Sequence, residues 1–226
     1  MIEELPLYIS LLFLLTVVVT LIWISYASGS RVFLLLVIAW TGLQATLGIA
    51  GVYQDVEAMP PKIMLFGVLP TLLAMLITFL SPGCRAFIGG VNLKTLTYFH
   101  SIRIPVEIVL VLLFHQGVVS VYMTFEGTNF DIFSGLTAAL VAYIAFKPHH
   151  TNTKLFFWWN VICLLLLLNV VVTAIFAIPS PFQALSLEQP NVAVLYFPYH
   201  LLPTVVVPLV LFAHLVALYR LAKEPH

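Results

Sequence analysis

Leu5 to Ser25 reads LPLYISLLFLLTVVVTLIWIS, an uninterrupted run without a charged residue. As a helix rising ~1.5 Å per residue, such a run crosses the ~30 Å hydrocarbon core of a bilayer. The competing reading is a secretory signal, because Ala27-Ser28-Gly29 could serve as a cleavage site. A signal carries a basic leading segment and a shorter apolar core, whereas Glu3 and Glu4 precede this one. The stretch is therefore read as a first membrane helix that is retained.

The rest of the chain follows the same pattern. Of its 226 residues, 62% are hydrophobic and only 8% charged, against about 25% charged in soluble domains. An ordinary water-soluble fold is excluded. Six further segments are apolar enough to span: 32–53, 61–80, 103–123, 132–147, 154–178 and 199–220. The segment 132–147 is short, and Asp131 is placed to N-cap it with its outer end below the membrane surface. The expectation is one all-α transmembrane domain, a seven-helix bundle.

Charge provides an independent check on that count. Arg31, Arg85, Lys94, Arg103, Lys147, Lys154, Arg220 and Lys223 fall on one side, and Lys62 alone on the other. Lys and Arg collect in cytoplasmic loops, so the N-terminus is expected outside and the C-terminus inside a bacterial-type inner membrane. Cys84 and Cys163 then lie toward a reducing compartment, and no disulfide is expected. Lys+Arg and Asp+Glu balance at 9 each, which offers nucleic acid no basic surface. The bilayer is the partner implied, self-association is left open, and no cofactor is expected.

Charged side chains inside a span cost roughly 2.5–3.5 kcal/mol on insertion scales, so polar residues there mark candidate sites. Glu107 lies four residues after Arg103, a spacing that lets the two pair on one helix face. Counting the helical rise from the inner basic residues puts Glu107 at ~6 Å, and Asn160 and His214 at ~9 Å. Acid, amide and imidazole from the fourth, sixth and seventh segments thus share a layer, where they could bind a small molecule or ion or relay protons. The bland alternative is that each satisfies its own neighbour. A second layer holds Gln44, His115 and Asn169 at ~18–22 Å. Asn160 and Asn169 are nine residues apart, hence on opposite faces of one helix. Trp40, Gln44, Gly48 and Gly51, and likewise Gly135, Ala138, Ala139 and Ala142, read as stripes for close helix packing.

Seven histidines raise the question of a metal, and spacing answers against it. His200 and His214 share a helix face but are ~21 Å apart along it, while zinc ligands must all reach within about 2.1 Å of one ion. His149–His150 reads as a solvated loop pair. Asp55, Glu57, Glu126, Asp131, Glu188 and His200 gather on the outer side by topology, where oxygen ligands suit a hard cation such as calcium; charge asymmetry alone explains them better. Pro203 and Pro208 interrupt the seventh segment and Pro70 the third, as kinks or as sites of exposed carbonyls. The stretches 81–102 and 179–198 are long for connections: an interfacial segment on the inner side and a packed outer loop.

Two known seven-helix families fail a residue test. Microbial rhodopsins need a lysine in the last helix, and 199–220 has none; alkaline ceramidases carry a close His-x-x-x-His pair there, which His200 and His214 do not match. The blocks Met123-Thr-Phe-Glu-Gly-Thr-Asn-Phe-Asp131, Ser180-Pro-Phe-Gln183 and Gln189-Pro-Asn191 resemble an uncharacterised family of small bacterial membrane proteins. That resemblance implies no activity. The leading functional expectation is a carrier or binding protein with a ligand site formed by Glu107, Asn160, His214 and Arg103, and the second layer His115, Gln44 and Asn169 adjoining. The rivals are a membrane-embedded enzyme acting on a lipid-soluble substrate through His115, His200 and the outer acids, and an accessory subunit with no site of its own.

Overall fold

A computed structural model describes residues 2, 5–147 and 150–223. Helix α1 covers Leu7–Ser28 and ends where Gly29 turns left-handed (φ +62°) and returns its N–H to the Ser25 carbonyl. Helix α2 covers Arg31–Ile49, begun by the Ser30 side chain capping the Phe33 N–H. A π-helical turn, Met64–Val68, leads into α3, Leu69–Leu80. The short helices α4, Arg85–Gly90, and α5, Leu93–Phe99, follow; α6 is Arg103–His115, α7 Ile132–Ala145 and α8 Thr153–Ala177. A second π-helical turn, Leu202–Val206, opens α9, Val207–Lys223. Between α7 and α8, Phe146 pairs with Thr151 and Lys147 with His150 in a minimal antiparallel ladder.

Among the described residues, five helical stretches are long and apolar enough to cross a membrane, or six if the bent Met64–Leu80 and Pro82–Gly90 pair counts as one. The chain is an integral membrane protein. Its surface agrees: Leu7, Leu11, Leu15 and Ile22 of α1 and Leu136, Leu140 and Tyr143 of α7 all stand exposed, apolar surface that water would not tolerate at this extent. The core runs through α1, α5, α6, α8 and α9, with α1 against α2, α5 and α6, and α8 against α7 and α9.

Two boundaries differ from the sequence reading, for one reason. The stretch expected as 103–123 is a continuous span Leu93–His115, because Leu96, Phe99 and Ile102 are buried in the core rather than lying at an interface. Arg103 therefore sits ~15 Å into that span by helical rise, and it leaves the tally of inner loop charges. Helix α7 has 14 residues, ~21 Å, shorter than the hydrocarbon core. The loop before it is packed into the protein, with Met123, Thr124 and Asn129 buried. Irregular backbone within a bilayer survives only when so enclosed. The stretch 179–198 is a packed connection: Gln189 donates to the Phe114 and Val119 carbonyls at 2.9 and 2.7 Å, and Asn191 accepts from the Ser120 N–H at 2.8 Å.

The prolines explain the polar stripe on α2. Pro70 has no N–H to give the Phe66 carbonyl four residues back, and the Gln44 amide donates to that carbonyl at 3.0 Å. Pro208 likewise leaves the Thr204 carbonyl, to which Trp40 Nε1 donates at 2.9 Å. Each π-helical turn thus lies beside a carbonyl that α2 satisfies, which binds α2 to α3 and α9. Since lipid removes the hydrophobic drive between helices, such bonds and close packing carry the association. Trp40→Phe is expected to cost about 1 kcal/mol, and less in a Pro208→Ala background, where a restored N–H serves Thr204. Thermal unfolding of the four proteins in detergent checks this; equal losses in both backgrounds would refute the assignment.

The small face of α7 is Gly135, Ala138, Ala142 and Ala145, all buried, while Ala139 of the expected stripe is exposed. Gly135 lies so close to α6 that a Cβ there would stand 2.9 Å from Ile104 Cγ1 and 3.1 Å from its backbone nitrogen. That approach brings the start of α7 against Arg103.

Candidate functional site

Arg103 is 3% exposed and is the hub of a buried network. Its Nη1 donates to Asp131 Oδ1 at 2.6 Å and to the Cys163 carbonyl at 3.4 Å; its Nη2 donates to His214 Nε2 at 2.7 Å. Because a guanidinium only donates, His214 Nε2 must accept. The imidazole is then neutral with its proton on Nδ1, which donates to Asn160 Oδ1 at 2.9 Å. Asn160 passes the sense on, its Nδ2 donating to the Phe156 carbonyl at 2.9 Å. The bond directions leave one assignment.

The sequence spacing paired Arg103 with Glu107, and the structure corrects this: the guanidinium goes to Asp131. Asp131 in turn is not a side-chain cap for α7; its carboxylate receives Arg103 and, at 3.4 Å, the Ser134 hydroxyl. Glu107 is held by Asn129 instead, whose Nδ2 donates to Glu107 Oε1 at 2.5 Å and to the Met123 carbonyl at 2.9 Å. Asn129 Oδ1 accepts the Asp131 N–H at 2.9 Å, so both carboxyls hang on one three-residue turn. Glu107 Oε2, though buried, has no hydrogen-bond partner.

Among the described residues, Glu107 and Asp131 are the only polar ones lining a partly open cavity of about 280 Å³ between α3, α6, α8 and the start of α9. The remaining lining is apolar, including Val106, Leu110, Leu167, Val171, Val207 and Leu211. The site therefore joins an apolar chamber to a hydrogen-bonded polar floor containing two carboxyls and one guanidinium.

Arg103, Asn160 and His214 meet directly, and Glu107 joins them through Asn129 and Asp131. Sequence reasoning missed His100, Asn129 and Ser134. His100 stacks on His214 with ring centroids 4.1 Å apart and meets the edge of Trp159, and its Nδ1 is buried without a partner. It precedes Arg103 by three residues, a same-face spacing that was hidden because the span was begun at 103. Asn129 and Asp131 were in view as the end of the block 123–131, yet a loop residue carries no periodicity to aim it.

The second layer does not assemble. Gln44 is buried on α2, accepting from the Tyr53 hydroxyl at 2.6 Å and donating to Phe66. His115 is exposed at the end of α6, 3.7 Å from Glu126. Asn169 is exposed and donates to the Thr128 carbonyl at 3.1 Å. The count that put them at one depth began the α6 span at Arg103; with that span running Leu93–His115, His115 stands at its end while Gln44 and Asn169 lie within α2 and α8.

The outer acids likewise do not form a centre: Asp55 pairs with Lys62 at 2.7 Å, Asp131 is in the buried network, and His200 points its Nε2 at the Gln44 carbonyl at 2.8 Å. The Lys62 ammonium, bonded to Asp55, holds that exposed carboxyl below its usual range. No group of three or more His, Cys, Asp or Glu placed to hold a metal occurs among the described residues. His149 and the side chain of His150 lie outside them. Cys84 and Cys163 are free thiols.

The sequence pattern of a domain of unknown function, DUF8737, matches residues 60–222. No curated protein and no solved structure matches the chain.

Proposed function

The chain belongs to the DUF8737 family, and we propose that it is a carrier or binding protein for a small lipid-soluble molecule, held in the α3–α6–α8–α9 cavity with Glu107 as its polar contact. One observation carries this reading. A buried carboxyl oxygen without a partner, Glu107 Oε2, belongs to a wall residue of a chamber whose lining is apolar apart from Glu107 and Asp131. Leaving such a group unsatisfied costs about 1–3 kcal/mol, more when charged, and a ligand with a donor group removes that cost. Pockets of this composition, apolar with a few convergent polar groups, are what small-molecule sites look like.

The same proposal has the chain cross a bacterial-type inner membrane seven times, with α7 as a short crossing, the N-terminus outside and the C-terminus cytoplasmic. With Arg103 removed from the tally, Arg31, Arg85, Lys94, Lys147, Lys154, Arg220 and Lys223 still fall on one side and Lys62 on the other. A C-terminal fluorescent-protein fusion that fluoresces, together with an alkaline phosphatase fusion that is inactive, supports this orientation; the reverse pattern refutes it.

The binding test uses gently solubilised protein and native mass spectrometry. Wild type is expected to retain a small adduct that Leu167→Trp, filling the chamber, loses. Glu107→Gln is expected to keep or raise the melting temperature, since removing an excess buried carboxyl relieves desolvation, while weakening retention of the adduct. Identical spectra for wild type and Leu167→Trp would dispose of the reading.

A further inference from the structure

Helix α3 is held away from the bundle: none of its 12 residues is buried. On one side this leaves an open groove of about 480 Å³ between α3 and α9. Two stripes form its walls. Leu72, Leu76 and Phe79 recur at the spacing of one helix face, and Leu211, Leu215 and Tyr219 do the same on α9. By helical rise the stripes run ~10–12 Å along the two helices. The Phe79 and Tyr219 rings, 5.6 Å apart, mark one end. The volume is about three times the ~150 Å³ cavity that takes one benzene, and it is drawn out along the helices as a chain would be.

The α9 stripe continues past the groove. Its next position at four-residue spacing is Lys223, whose ammonium stands 5.4 Å from the centroid of the Tyr219 ring. By helical rise Lys223 lies ~6 Å beyond the aromatic end, which puts a cation at the mouth of an apolar slot. Among the described residues no acid is there to meet it. Asp55, Glu57, Glu126 and Glu188 lie toward the opposite ends of the helices, and Glu107 and Asp131 are buried. Leu72 and Leu76 are exposed, so the groove opens to hydrocarbon, where a lipid chain fills it. The tyrosine and the lysine select the head. Tyrosine rings sit at headgroup level, and basic residues beside the membrane surface attract anionic lipid.

We propose that this groove seats one anionic phospholipid, with an acyl chain between α3 and α9 and its phosphate on Lys223. The site is distinct from the chamber beside Glu107, which it touches only at Leu72 and Leu211.

The test titrates full-length protein in detergent with dioleoyl phosphatidylglycerol and with dioleoyl phosphatidylcholine, read by native mass spectrometry. The anionic lipid is expected to bind about fivefold tighter, the worth of one lysine beside an anionic headgroup. Lys223→Gln should bring the two lipids to parity. Lys94→Gln, which removes an exposed cation on α5, should leave the preference intact. Leu215→Trp, filling the groove, should remove both lipids, and Leu167→Trp, filling the chamber, should remove neither. No preference in wild type, or an unchanged preference in Lys223→Gln, would overturn the site. Equal loss in Lys223→Gln and Lys94→Gln would overturn it too, because a diffuse positive field would then do the selecting. Lipid binding that survives Leu215→Trp, or is lost in Leu167→Trp, would place the chain elsewhere and overturn it. A dimer that excludes lipid would do the same by putting a second copy in the groove.

Discussion

Arg103→Ala is expected to destabilise the fold by about 3–5 kcal/mol, the typical cost of removing one partner of a buried ion pair. The substitution strips three acceptors at once: Asp131 loses its 2.6 Å partner, His214 Nε2 its donor and the Cys163 carbonyl its weaker contact. Asp131, only 8% exposed, cannot turn to water for compensation. The loop 123–131 that carries it is held to α6 through the same carboxyl and through Asn129, so α7 should loosen first. Arg103→Met combined with Asp131→Leu removes both charges and is expected to regain most of the loss, because well-packed apolar replacements avoid the desolvation of an ion pair. Reversible unfolding in mixed micelles reads both. A loss under about 1 kcal/mol for Arg103→Ala, the range of an exposed pair, would show that the network is solvated and not a structural hub.

Gly48→Ala is the second large effect, expected at about 1–3 kcal/mol from overpacking. A Cβ at this position would stand 2.2 Å from His200 Cε1 and 2.5 Å from Nε2. The ring has no room to move aside: His200 is fully buried, bonded to the Gln44 carbonyl one turn earlier on α2, and flanked by Tyr53 and Phe197. Glycine is required here for the space its missing side chain leaves, since that notch lets the imidazole reach the helix backbone. His200→Ala empties the notch from the other side, so Gly48→Ala should cost much less in that background. Additive losses in the double variant would mean that the two residues do not share the space.

Helix positions were legible in the sequence for a simple reason. Bilayer thickness dictates the length of an apolar run, and no other solvent does so, which is why α1, α2, α8 and the region of α9 fall where the runs LPLYISLLFLLTVVVTLIWIS, 32–53, 154–178 and 199–220 lie. Residue counting named Glu107, Asn160 and His214 together, but its zero for Glu107 was Arg103, which lies ~15 Å inside the span Leu93–His115. Counting could not give azimuth. Gln44, His115 and Asn169 were counted to one depth as well, yet they end up in separate places. Nor could it weigh a local partner against a distant one: Glu107, four residues from Arg103, loses to Asp131, which is 28 residues away.

The amino-acid sequence by itself determined that this chain lives in a membrane, roughly where it enters and leaves, and which polar residues would have to be enclosed. Those follow from transfer energies, which are properties of each residue and its neighbours along the chain. Only the tertiary structure decided that Asn129 and Asp131 fold down from a loop, that His100 lies within the bundle, and that one oxygen of Glu107 is left without a donor. These depend on helix rotation and loop path, and they are set by packing among segments far apart in sequence, where no local energy acts.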